Sequence, residues 1–370
     1  MRGRTTSPAC SRSPRTGTAD TRESAAPCYR STVKIRLLSS LLAVCVLASA
    51  ASAEPITLRF ATVAPDGTAW ARVFRAMGRD LEVDSKGAIS TKWYFGGIAG
   101  NERQMLDRLK KNQLDVVLSG GMTCMDLSPS MRVLRLLGLF QTRDEAAYAL
   151  GRLRGVIDRE FAAAGFHNMG EATLGSDMMF TRMPITSLAD LKKARLWYWD
   201  LDEPMRAQLK AMGVPAVGLP VEEEFRAFED KRTDGFLAVP TAALAFQWSA
   251  GTPYLSELRL GFLPGCMVMT THAWESLTIE ERATLTLSTA KTQARLEELG
   301  RSQDAELLGG LFARQGVKMT PVSAGFASEF FEAARAARLS LRDKLVPGEL
   351  IDRVTGWLAD LRAQNPPRTN

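Results

Sequence analysis

The chain has 370 residues, of which 45% are hydrophobic, with 47 Lys and Arg against 41 Asp and Glu, a formal net charge of +6. The whole excess lies in residues 1–53, which hold 8 basic and 2 acidic side chains; the other 317 residues carry 39 of each. That balance leaves no basic footprint for nucleic acid or a membrane surface, and two cysteines beyond residue 53, Cys124 and Cys266, exclude a disulfide-dense scaffold.

Residues 1–32 are rich in Arg, Ser, Thr and Pro without apolar periodicity and supply no core. Lys34 and Arg36 then precede a short apolar run and Ala51-Ser52-Ala53. This is the pattern of a secretory signal peptide cut near Ala53, and the run is too short for a stable membrane anchor. The expected location is the periplasm.

Past the leader, residues 56–63 alternate apolar and polar side chains as a strand does. Thr68 is placed to cap a helix over 69–85, with Trp70, Val73, Phe74, Met77 and Leu81 at helical spacing. A strand over 89–95 leads into a glycine-rich turn at 96–100. Asn101 caps a helix over 102–112, and 114–119 is a buried strand. Strand, helix, strand, helix, strand is the signature of right-handed β-α-β units.

Residues 130–165 read as mostly helical, and 174–182 as a strand. Helix-start signals follow at Ser187, and strands at 196–199, 216–219 and 235–239 alternate with helices at 204–212 and 222–231. The alternating pattern thus occurs twice. A strand at 265–271, a long helical stretch over 278–315 interrupted by Gly300, Gly309 and Gly310, a short strand at 317 and a helix over 324–345 complete the reading. Two α/β halves imply two lobes, and a cleft outside the carboxyl ends of the strands is where such sheets take ligands.

Enzyme motifs are missing. The chain has no P-loop, no G-x-S-x-G, no H-E-x-x-H and no paired C-x-x-C. His167 and His272 are the only histidines, too few for a multi-histidine metal site. The run Glu222-Glu223-Glu224 opens a helix and is expected to be a solvated cap that favours the dipole. Neither catalysis, cofactor nor metal is expected. Cys124 and Cys266 read equally as a bridge or as two buried thiols.

Four segments in order then resemble one family: GNERQMLDRLKKNQLDVVLS (100–119), MPITSLADLKKARLW (183–197), TDGFLAVP (233–240) and HAWESLTIEERATL (272–285). The mature chain is similar to the periplasmic solute-binding proteins of TRAP (tripartite ATP-independent periplasmic) transporters. The resemblance implies an α/β fold of two lobes, with strands crossing between them and a long bracing helix. It implies lobe I at 54–174 with 264–303, and lobe II at 175–263 with 304–370. It also implies capture of a small solute by cleft closure and delivery to membrane permease subunits. A periplasmic ligand sensor or scaffold, docking a helical-repeat partner, is the alternative within the same resemblance.

In the family, an Arg on the strand after Asp-Leu-Lys commonly clamps a ligand carboxylate. Here that position is Trp197, and a second basic position falls near Ser176 or Asp177. A two-residue gap would instead bring Arg195 to the site. If Trp197 faces the cleft, Trp199 shares its face and Tyr198 points away, because strand side chains alternate. The expected ligand is therefore more hydrophobic or aromatic than a small organic acid. The candidate contacts are Trp197, Trp199, Met178, Phe180, Trp70, Ser119, Gly120, Met122, Phe236, Ala238, Pro240, Gln247 and Trp248. The competing reading is that these rings fill the second lobe's core.

Overall fold

The computed structural model describes residues 55–365, so the leader reading over 1–53 lies outside the described residues. Caps placed from the sequence occur where expected: Thr68, Asn101, Ser187 and Thr278 each accept a backbone N–H of the first turn of their helices. Asn101 and Thr278 complete reciprocal capping boxes with Gln104 and Glu281. Two orphan N–H groups are satisfied at each, which fixes where these helices begin.

Two sheets carry the fold. The first has the order β2-β1-β3-β10-β4, with β1 Ile56–Thr62, β2 Ile89–Tyr94, β3 Val116–Ser119, β4 Phe166–Ser176 and β10 Phe262–Thr270. Strands β1, β2 and β3 are parallel, joined by the helices Ala69–Asp84 and Glu102–Lys110, while β10 runs antiparallel between β3 and β4. The second has the order β11-β9-β5-β8-β6-β7, with β5 Met178–Thr181, β6 Leu196–Trp199, β7 Ala216–Leu219, β8 Gly235–Ala238, β9 Tyr254–Ser256 and β11 Lys318–Thr320. Its β8, β6 and β7 are parallel, and β6 leads to β7 through the helix Glu203–Ala211.

The chain passes between the sheets repeatedly. Strand β4 ends at Ser176, and one residue later β5 begins in the other sheet; β9 returns to β10 within a few residues. The sequence reading joined 174–182 into one strand, but Asp177 breaks it: its backbone bonds to Gly261 and Leu260 rather than to either ladder. The helix Ile279–Glu306 packs on the helix Ala69–Asp84 and on β4, then yields a π turn, Leu307–Leu311, that kinks at Gly310 (φ 140°). A positive φ is open to glycine at little cost, which explains a glycine at the bend. Leu307, at the start of the π turn, and Phe312, just past it, bury in the second sheet's core. One helix thus braces both sheets.

The terminal segment corrects the lobe assignment of 304–370. The helix Ala324–Leu341 buries Phe326 and Phe330 with Met205 and Leu237 of the second lobe. The helix Gly348–Gln364, which the sequence reading did not reach, buries Leu350, Val354 and Leu358 in the first lobe's core beside the helix Arg143–Ala163. Its apolar residues recur at i, i+4 and i+8, one stripe that needs a partner surface. Cys124 and Cys266 form a disulfide across 142 residues of chain. It ties the helix Met122–Leu127 to β10, where Cys266 sits opposite Ser119 of β3. Among the described residues, no helix is long and apolar enough to cross a membrane.

Candidate ligand-binding site

A cavity of about 140 Å³ lies between the sheets. Its walls are the carboxyl ends of parallel strands from both lobes and the residues just after them: Thr62 to Ala64 after β1, Ser119 and Gly120 at β3, Trp199 at β6, Ala238 and Val239 at β8. Backbone groups at these ends have left the ladder, and side chains there can converge on a ligand.

Most of the lining is apolar. Trp70, Trp197, Trp199 and Trp248 contribute indoles and Phe74 and Phe246 phenyl rings. Strand alternation holds along β6: Trp197 and Trp199 pack in one core and Tyr198 in the other. Trp197 is only 2% exposed, its indole N–H donates to Leu219 O at 2.9 Å, and its ring meets that of Trp248 edge-on at 5.0 Å. It is both core and wall, so the competing core reading holds for this ring in part. Trp199 reaches further. It packs against the first lobe's core and lies over Gly120, where an added methyl would stand 3.4 Å from its ring and 3.2 Å from Glu102 Oε1. The missing side chain at 120 is what admits the indole.

Of the thirteen candidate contacts, Trp70, Ser119, Gly120, Met122, Trp197, Trp199, Ala238 and Trp248 line the cavity. Five do not. Met178, Phe180 and Phe236 are buried outside the lining, with Phe180 stacked on Phe236 at 4.8 Å, in the same cluster as Trp197, Ala238 and Trp248. Pro240 is buried as the first residue of the helix Pro240–Ala245. Gln247 lines a neighbouring groove with Thr241 and Gln303, which shares only Trp70 with the cavity. Arg195 is also excluded from the cavity. It lies on the surface and forms a bidentate pair with Asp234, Nε to Oδ2 at 3.0 Å and Nη2 to Oδ1 at 2.9 Å.

The polar corner of the cavity was not legible in the sequence. Arg135, at the end of the 3-10 helix Pro129–Arg135, lies between Asp177 and Asp202, and all three line the cavity. Its Nη1 bonds Asp177, while Nε and Nη2 each reach Asp202 Oδ2 at 2.7 Å. The three side chains are no more than 6% exposed. Burial works to lower the Arg135 pKa, but the two carboxylates outweigh it and hold the guanidinium above its ordinary value. Asp202 also caps the helix Glu203–Ala211 by accepting from Met205 N. Nearby, Gln208 accepts from Leu137 N and donates to Arg135 O, so the two lobes are tied here by several polar bonds. Nothing in residues 129–135 marks this arginine; only its approach to two distant aspartates does.

Behind Ser119 and Gly120 lies Glu102, fully buried. It accepts from Ser119 Oγ at 2.5 Å, Thr123 N at 2.8 Å and Gly120 N. Burial pushes its carboxyl up, while the three donors pull the other way. Glu171 also lines the cavity; its carboxylate accepts from Asn168 Nδ2 and lies 3.8 Å from Arg154 Nε, while its carbonyl accepts from Gln293 Nε2. One acidic expectation fails outright: Glu224 is buried rather than solvated, and neither carboxylate oxygen has a partner. Among the described residues no group of three His, Cys, Asp or Glu could hold a metal ion.

Residues 60–340 match the family described as bacterial extracellular solute-binding protein, family 7. A curated relative, an uncharacterized protein of Haemophilus influenzae, is 21% identical over 76% of this chain and 86% of its own length. Solved structures share the fold. A sugar acid binding protein from Advenella mimigardefordensis, in complex with galactonate, has TM-score 0.77 at 19% identity, covering 83% of this chain and 99% of its own. A TRAP periplasmic solute binding protein from Fusobacterium, with bound sn-glycerol-3-phosphate, has TM-score 0.76 at 16% identity, covering 84% and 99%. Another from Haemophilus influenzae, with bound L-gulonate, has TM-score 0.75 at 17% identity, covering 82% and 99%.

Proposed function

The chain belongs to the bacterial extracellular solute-binding protein family 7, the receptors of TRAP transporters, and on that premise we propose that its cargo is a compact apolar or aromatic molecule held between the lobes by indole faces. Proteins of this family are non-enzymatic, periplasmic transport components that hand small organic molecules to membrane permease subunits.

The observation that carries the reading is the lining itself: four tryptophans and two phenylalanines around the cavity, with Arg135 the one cationic side chain among the described lining residues and that one paired with two carboxylates. The solved relatives named above hold acids, and an acid needs a free guanidinium or comparable donor. Counted without gaps, Trp197 stands where the family's clamping arginine is expected, and the second basic position falls near Ser176 or Asp177. An apolar cavity near 150 Å³ is of the size that takes up benzene, so a single ring with a short substituent fits the room available here, about 140 Å³.

Native mass spectrometry of protein purified from its own periplasm tests this directly. The expected result is a retained small molecule without a carboxylate or phosphate. A retained sugar acid would defeat the reading.

A further inference from the structure

The cavity has a sign as well as a shape. Charged residues in its wall are Arg135, Glu171, Asp177 and Asp202, three acids against one guanidinium. Its Nε and Nη1 donate to Asp202 and Asp177 and its Nη2 lies 2.7 Å from Asp202 Oδ2, so two carboxylates already oppose its charge. One layer back, the Glu102 carboxylate holds Ser119 and Gly120 with no cationic partner among its bonds. At the Leu174 end of the cavity stands another guanidinium, Arg143, which is likewise committed: it donates to Thr173 O at 2.7 Å and pairs with Asp304 at 2.8 Å. Negative charge in a low-dielectric site is therefore in excess.

The rest of the wall suits the same partner. Indole faces carry negative quadrupole density, and a desolvated cation over several of them is attracted without any formal counter-charge. Trp70, Trp197, Trp199 and Trp248 approach one space from both lobes, so such a cation would be enclosed rather than stacked on a single ring. A carboxylate in the same space would meet like charge at Asp177 and Asp202.

We infer that the cargo is cationic, a compact aromatic or apolar molecule bearing an ammonium or similar positive group, with the carboxylate excess around Arg135 rejecting acids of the same shape. This rests on the apolar-cavity reading above and adds the sign of the charge to it.

Three probes matched in ring and reach test it in calorimetry on the purified protein: phenethylammonium, phenethyl alcohol and hydrocinnamate. The ammonium is expected to bind about tenfold more tightly than the alcohol or better, and the carboxylate to give no heat. Glu102→Gln, which keeps the shape and removes a charge, should narrow the gap between ammonium and alcohol. Equal affinity for those two overturns the inference and leaves the apolar reading standing. Hydrocinnamate binding as well as phenethylammonium overturns it too, as does no heat from any probe. A sugar acid retained from the periplasm would remove the apolar reading as well.

Discussion

Trp199 and Trp197 differ in what their removal should do. Trp199 is half-buried, spans to Gly120 of the first lobe and closes the cavity. Trp199→Ala is expected to weaken ligand binding by about 2 kcal/mol, near thirtyfold, with little change in melting temperature. Trp197 is anchored in the core by Leu219 O and Trp248, so Trp197→Ala should cost stability as well, about 3–5 kcal/mol in urea unfolding. An equal loss of stability in both variants would contradict the division. Glu224 gives a separate pH signature. Burial pushes its carboxyl from an ordinary 4.5 up to about 8. The unfolded chain sheds this proton first, so the native state loses stability as pH rises from 4.5 toward 8 and the loss levels off above that. The size is on the order of 4 kcal/mol. Glu224→Gln should remove that part of the slope when urea midpoints at pH 5 and pH 8 are compared; an unchanged slope would show the carboxyl to be solvated after all.

One step up, the junction around Arg135 joins the 3-10 turn Pro129–Arg135, the break between β4 and β5, and the cap of the helix Glu203–Ala211. Arg135→Met strands two buried carboxylates and is expected to destabilise by about 3–5 kcal/mol. Replacing all three members by apolar residues should cost much less, because the expensive state is an unpaired buried charge. Differential scanning fluorimetry on the two variants separates them. The same segments show how legibility varied. Helices opening on Thr68, Asn101, Ser187 or Thr278 were marked locally, since a cap needs only its own first turn. The strand β9, three residues long, and the helix Gly348–Gln364 were missed: the first is too short to show a period, and the second was cut off by Pro347 just after a helix had ended.

For the two lobes together, the disulfide and the kinked helix set what can move. Cys124–Cys266 closes a loop of 142 residues inside the first lobe, and such a closure removes much unfolded-chain entropy. Replacing both cysteines by alanine should lower stability by about 2–4 kcal/mol while ligand affinity changes little, since Cys266 adds only one small side chain to the cavity wall, measured by unfolding in urea against ligand titration. A variant that loses binding but not stability would mean the bridge shapes the pocket instead. The kink at Gly310 lies where the long helix leaves the first sheet's flank for the second core. A bend fixed by a positive φ tolerates no β-carbon without strain.

The doubled β-α-β pattern, the family and the lack of enzyme motifs were all present in the chain as local signals: alternating periods, cap residues and short ordered motifs. Eight of the thirteen expected cavity residues followed from one further rule, that strand ends and strand alternation point side chains to a common opening. The polar corner followed no such rule. Arg135 meets Asp177 and Asp202 at separations of 42 and 67 residues, and charge in a sequence carries no mark of who will neutralise it. Whether Arg195 or Trp197 lined the cavity was likewise a matter of two residues of register, decided only when Asp234 came alongside the arginine and held it at the surface. Pairing across distance is a property of the packed chain, because burial removes water as the competing partner and leaves each charge to whichever opposite group the fold brings near.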